Sequence, residues 1–213
     1  MKIIVFDTET TGFPTPGQPL EKQPYLCQFA AIVLEYNPQN KAIIELSRTD
    51  ILIKPPIAIP AECTNIHGIT DAMVANQKTF SEHAPALLGL FRSADIAIAH
   101  NLIFDQQLIE FELERAGLDK KFLPAQIYDS MKETKDLCKL PGRNGNYKSP
   151  RLMELHQFLV GQPFQEAHNA IKDVEALSRC VKVLLEQGFY QPVLLAAIPS
   201  PVEVSIGEQI SLF

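Results

Sequence analysis

A chain of 213 residues is long enough for one well-buried core and too short for two ordinary domains joined by linkers. Apolar residues make up 46% and charged residues 21%, so the composition is that of a globular chain, neither polar enough to be disordered nor apolar enough to be a membrane protein. The formal net charge of −6 argues against strong non-specific attraction to a polyanion, so a nucleic-acid ligand would need some further means of retention.

No apolar run approaches the roughly 20 residues that span a bilayer, and the opening MKIIVFD lacks the features of a signal peptide, so a cytoplasmic location without membrane contact is expected. Cys27, Cys63, Cys138 and Cys180 are scattered without CxxC spacing and read as reduced, structural thiols.

In chain order, KIIVF, LCQFAAIVLEY and AIIELSRTDILI read as three strands of a meander, the last two separated by the turn-like NPQN. After the proline-rich IKPPIAIPAE, helical spacing runs from about Ile69 to Ala75 and from Ser81, a candidate cap, to Phe91. IAIA reads as a buried strand and Leu102 to Ala116 as an amphipathic helix stopped by Gly117. IYDSM reads as a short strand, and KLPGRNGNYKSP as a loop whose Ser149-Pro150 supplies the cap and first turn of a helix from Arg151 to Val160. A long helix follows from about Asn169 to Glu186. Strands first, then alternating helices and strands, imply an α/β layer with a mixed sheet. Residues 1–198 are expected to form one domain and residues 199–213 an extended tail.

Asp7 and Glu9 stand two apart at the end of the first strand, and a period of two sends both side chains to one face. Two adjacent carboxylates repel unless a cation lies between them, and Mg²⁺ or Mn²⁺ suits such an oxygen pair. On this pair alone, acids ending a strand in a solvated loop are an equal reading. Asp105 in HNLIFD would by itself be read as favouring a helix dipole. In HNAIKD, His168 lies at or just before the start of the last helix, and Asp173 follows about one and a half turns later, a commonplace spacing on its own.

Together FDTETTG, HNLIFD and HNAIKD resemble, in order and separation, the three motifs of the DnaQ-like, or DEDD, exonuclease superfamily. The resemblance is to its histidine branch, because the sister branch carries a tyrosine four residues before the last acid and that position here is Asn169. It runs from about Lys2 to Leu185, includes NIHGIT, and extends to the exonuclease domain of the polymerase III epsilon type. It implies a ribonuclease-H-like α/β fold with a mixed five-stranded sheet flanked by helices. It also implies Asp7, Glu9, Asp105 and Asp173 as ligands of two divalent cations, Mg²⁺ or Mn²⁺, with His168 as general base. Two such cations, roughly 3.5–4 Å apart, clamp a phosphodiester and stabilise the attacking and leaving oxygens.

The same resemblance places Thr8, Thr10, Thr11, His67, Asn101 and Phe104 near the terminal nucleotide. Each has a plainer alternative: a turn of small polar residues for the threonines, a loop histidine for His67, a loop anchor for Asn101 and core packing for Phe104. His100 reads as structural, and Lys148 and Arg151 as solvated charge before phosphate contacts. Two departures from the family pattern stand out: GFPTPGQPLEKQPY lengthens the connection after the first motif, and Gln28 takes a strand position that is often Glu.

The terminal QISLF, with Gln209, Leu212 and Phe213, resembles the short peptide by which bacterial replication and repair proteins bind the sliding clamp, although a tail packing on its own domain is the alternative. Clamp tethering would offset weak intrinsic DNA affinity by raising effective concentration. The expected activity is therefore metal-dependent 3′-to-5′ removal of 5′-mononucleotides from DNA 3′ ends, in proofreading beside a DNA polymerase or in repair. An RNA 3′-end trimmer of the same superfamily and a clamp adaptor without catalysis are the competing expectations.

Overall fold

The computed structural model describes residues 1–164 and 168–193. β1 (Lys2–Thr10), β2 (Leu26–Asn37) and β3 (Ala42–Leu52) form an antiparallel meander. β4 (Ile96–Ala99) pairs in parallel with the other edge of β1, and β5 (Gln126–Asp129) in parallel with β4. The order β3-β2-β1-β4-β5 is the mixed five-stranded sheet that the sequence implies.

Between β3 and β4 lie α1 (Ala61–His67), α2 (Asp71–Val74) and α3 (Phe80–Ser93), and between β4 and β5 lies α4 (Leu102–Arg115). After β5 come α5 (Ser130–Glu133), α6 (Lys135–Cys138), α7 (Leu152–Val160) and α8 (Ala170–Glu186). Ile4 and Phe6 of β1 join a core with Phe91 of α3 and with Leu108 and Leu113 of α4. Ile3 and Val5 join a second core with Leu155 of α7 and Val174, Leu177 and Val181 of α8. Successive residues of β1 thus feed opposite layers, so KIIVF is apolar throughout instead of alternating.

Several element ends differ from the sequence reading. The cap of α3 is Thr79, two residues before Ser81: Glu82 accepts from the Thr79 N–H at 2.8 Å and from its hydroxyl at 2.9 Å, closing a capping box. α1 is unanticipated because seven residues show no sustained period; its marks are Pro60 before it and Gly68 after it at φ +76°. The helix expected over Ile69 to Ala75 shrinks to α2, capped by Thr70. IYDSM divides, since Asp129 ends β5 and its carboxylate accepts the Met131 N–H at 3.1 Å to start α5. Arg151 caps α7, one residue beyond the expected Ser149-Pro150 start.

The four cysteines are free and buried. Among the described residues, no helix is long and apolar enough to cross a membrane. The expected tail, with Gln209, Leu212 and Phe213, lies outside the described residues.

Candidate active site

The alternation that fills two cores with Ile3 to Phe6 continues along β1 into polar residues. Asp7 and Glu9 follow Ile3 and Val5 on the α8 face, while Thr8 and Thr10 follow Ile4 and Phe6 towards α4. α8 contributes Asp173 in its first turn. One carboxylate oxygen from each of Asp7, Glu9 and Asp173 lies within 4.8 Å of the other two, an all-oxygen donor set suited to a hard divalent cation.

Asp105 stands beside this trio. It is 2% exposed in the first turn of α4, and its Oδ1 accepts the Thr8 hydroxyl at 2.7 Å. It is close enough to raise the pKa of Asp7, but the structure brings only three of the four expected acids into one tight cluster.

Electrostatics explain why the cluster needs positive charge. Burial, followed by Asp105, Asp173 and Glu9, drives the Asp7 carboxyl well above its ordinary range. Glu9 is pushed up to about 8 by burial and then by Asp173 and Asp105. Burial raises Asp105 to about 7, against the opposing bond from Thr8, and Asp173 to about 6, against the bond from the His168 N–H. Among the described residues, no lysine or arginine pairs with Asp7, Glu9, Asp105 or Asp173, so full ionisation at neutral pH calls for cations from solution.

His168 precedes Asn169, whose side chain caps α8 by accepting the Lys172 N–H. It adopts φ +69°, uncommon for a residue with a Cβ, and its N–H donates to Asp173 Oδ2 at 3.0 Å. The chain turn that starts α8 therefore joins histidine and acid directly, with the His168 side chain exposed.

Gln28 lies opposite Glu9 on β2 and is 4% exposed. Its amide donates to Asp50 Oδ1 at 2.7 Å and accepts the Ala170 N–H at 3.3 Å, tying β2, β3 and the start of α8 together. A neutral amide serves both bonds without adding another carboxylate beside Glu9.

The expected nucleotide-contact residues divide by what already occupies their polar atoms. Thr8 donates to Asp105, Thr10 to the Gly12 carbonyl at 2.6 Å, and the Thr11 hydroxyl accepts the Tyr25 N–H at 2.9 Å. All three hydroxyls thus serve the fold. His67 is buried; its Nε2–H donates to the Thr10 carbonyl at 3.2 Å and its Nδ1 accepts the Ile69 N–H at 3.1 Å, so it ties α1 to the end of β1 with no ring nitrogen left over. Asn101 begins α4 at φ +73°, held by its N–H to Asp129 Oδ1 at 3.0 Å, and its side chain makes no cap bond.

Phe104 is half-buried, its ring centroid 5.8 Å from that of Phe13, which is 73% exposed. Phe13 is a residue the sequence reading missed, because only the fold reveals its partner. It sits on the lengthened connection, which is well anchored: the Arg115 guanidinium donates to the carbonyls of Leu20, Gln23 and Pro24 and lies 3.8 Å over the Tyr25 ring.

The sequence profile of the exonuclease family RNase_T matches residues 4–180. The chain is 32% identical over 187 residues to the 3′-5′ exonuclease DinG of Bacillus subtilis (strain 168), covering 87% of this chain and 18% of that protein. It is 31% identical over 121 residues to the DNA polymerase III subunit epsilon of Haemophilus influenzae (strain ATCC 51907 / DSM 11121 / KW20 / Rd), covering 55% and 43%. It therefore spans less than half the length of either relative. Among solved structures, the nuclease domain of 3′hExo, a DEDDh family member bound to rAMP, shares the fold at a TM-score of 0.67 and 15% identity, with 88% of this chain and 92% of that one covered. Exonuclease X in complex with 5′ overhanging duplex DNA has a TM-score of 0.59 at 20% identity, with 89% and 94% covered.

Proposed function

The chain belongs to this exonuclease family, and we propose that it is a metal-dependent 3′-to-5′ exonuclease acting on DNA 3′ ends and releasing 5′-mononucleotides. The convergence of Asp7, Glu9 and Asp173 carries this reading, because three crowded, half-buried carboxylates without a protein counter-ion among the described residues fit divalent cations. These acids together with Asp105 would hold two ions, Mg²⁺ or Mn²⁺. When bound, such ions neutralise the carboxylates and stabilise charge on the attacking and leaving oxygens of a phosphodiester.

The remaining roles fall to the chain itself. His168, exposed and fastened by its N–H to Asp173, accepts the proton of the attacking water as oxygen bonds to phosphorus. The phosphorus to 3′-oxygen bond breaks, and the leaving 3′-oxygen takes a proton from solvent water to become the 3′ hydroxyl of the shortened strand. Thr8 acts as a positioning residue for Asp105 through their hydrogen bond. Phe104 and Asn101 are the remaining candidates for contact with the terminal nucleotide, since the three threonine hydroxyls and the His67 nitrogens are engaged within the fold.

DNA is favoured as substrate by the names of the relatives and by the resemblance of Gln209, Leu212 and Phe213 to a clamp-binding peptide. This reading sets the enzyme in the bacterial cytoplasm, working in proofreading beside a polymerase or in repair. Parallel digestion of labelled single-stranded DNA and RNA of one sequence, with Mg²⁺ or Mn²⁺, tests it. Faster stepwise shortening of DNA is expected; a preference for RNA contradicts it and supports the 3′-end-trimming alternative.

A further inference from the structure

Basic residues are unevenly spread in this acidic chain. From Lys139 to Arg151 the sequence carries Lys139, Arg143, Lys148 and Arg151 and no acid, against a formal net charge of −6 overall. These residues form a built hairpin between α6 and α7. Pro141 and Tyr147 pair across it, the Lys148 N–H donates to the Leu140 carbonyl at 3.0 Å, and the Gly142 N–H donates to the Asn146 carbonyl at 2.8 Å. A Cβ at Gly142 would stand 2.6 Å from the Asn146 oxygen, so glycine is required for this close approach.

The hairpin's stem is tied to the segment that leads into α4, the helix that carries Asp105. His100 Nε2 lies 3.1 Å from the Pro150 carbonyl, to which it donates, and Nδ1 lies 3.0 Å from the hydroxyl oxygen of Ser130, which itself donates to the Ala99 carbonyl at 3.1 Å. His100 immediately precedes Asn101, from which α4 and its Asp105 begin. Burial holds this imidazole neutral, down to about 4. Lys148 pairs with Glu154, whereas Lys139, Arg143 and Arg151 form no ion pair among the described residues. Arg143 and Arg151 are exposed, and Tyr147 between them is 44% exposed.

From this juxtaposition we propose that the Lys139–Arg151 hairpin is a docking track for the sugar-phosphate backbone of the nucleic-acid strand whose 3′ end enters the site. The inference rests on the nuclease reading and deepens it by assigning where the rest of the strand lies. Arg143 and Arg151 hold phosphates and Tyr147 offers a face on which a base stacks. A local positive track also shows how an acidic protein retains a polyanion without relying on a partner.

The test is fluorescence anisotropy with labelled oligo-dT and oligo-U, in an Asp7→Asn background that prevents digestion, over a range of salt. Arg143→Gln/Arg151→Gln is expected to weaken both strands roughly tenfold and to reduce the salt slope by about 1.4, two phosphate contacts at about 0.7 each. Gly142→Ala, which changes no charge, is expected to weaken binding in the same direction by distorting the hairpin. The comparison variant Lys78→Gln/Arg92→Gln removes the same charge from exposed positions beside and on α3 and is expected to change affinity much less. Equal losses in the two double variants, or an unchanged salt slope in the first, overturn the proposal. Mg²⁺-dependent digestion by the wild type is followed in parallel: its absence counts against the nuclease reading, whereas digestion with unaltered binding by the hairpin variant counts against the track alone.

Discussion

Asp7 and Glu9 owe their shared direction to the two-residue repeat of β1, a property written into FDTETTG before any tertiary contact forms. The fates of Thr8, Thr10 and Thr11 are not written there, because Asp105, Gly12 and Tyr25 become their partners only in the fold. The crowded acids have a measurable consequence. Their folded-state pKa values are raised, so between the ordinary carboxyl range near 4 and about 8 the folded chain binds more protons than the unfolded one. Stability from this source is present at low pH and lost as pH rises through that window. Above about pH 6.5, where the histidines that burial holds low no longer titrate in either state, the Tm of the metal-free protein is expected to fall towards about pH 8, with Mg²⁺ raising it more at the higher pH. A Tm that rises over this range without metal contradicts the electrostatic account. At the proposed base, His168→Ala is expected to lower kcat by roughly 10²–10⁴, with partial recovery on adding imidazole. Activity within a few-fold of wild type excludes this role.

Among the elements, the strands and the longer helices follow from periodicity and caps, whereas short pieces do not. α1 spans seven residues, too few for its pattern to stand out from the prolines before it. The start of α3 was available as Thr79-x-x-Glu82, and Ser81 competes with it only when helix starts are judged one residue at a time. The lengthened connection after β1 is open in sequence but held in the fold, since Arg115 on α4 gathers three of its carbonyls and stacks on Tyr25. Arg115→Ala is expected to destabilise the protein by roughly 1–3 kcal/mol and to speed tryptic cleavage after Lys22, read by limited proteolysis. Unchanged cleavage there shows that the connection is held by other means, Gln23 and its bonds to Thr15 and Gln18 being the next candidates.

At the scale of the molecule, sheet order and helix layers bring motifs far apart in sequence to one end of β1. Glu9 and Asp173 meet because α8 packs across the β1–β2 face, with Gln28 accepting from its first turn. Motif order announces that gathering by resemblance, but spacing along the chain does not reveal that Asp105 stands beside the trio instead of within it. The net charge has the same lesson: −6 describes the whole chain and hides the acid-free hairpin that Pro150 ties to His100. Metal-dependent cleavage from a 3′ end, the role proposed for the carboxylates at the end of β1, is tested by digestion of 5′-labelled single-stranded DNA with Mg²⁺, comparing the wild type with Asp7→Asn. A ladder shortening one nucleotide at a time from the 3′ end, slowed by roughly a thousandfold or more in the variant, is the expected result; a ladder of equal rate from the two proteins contradicts it.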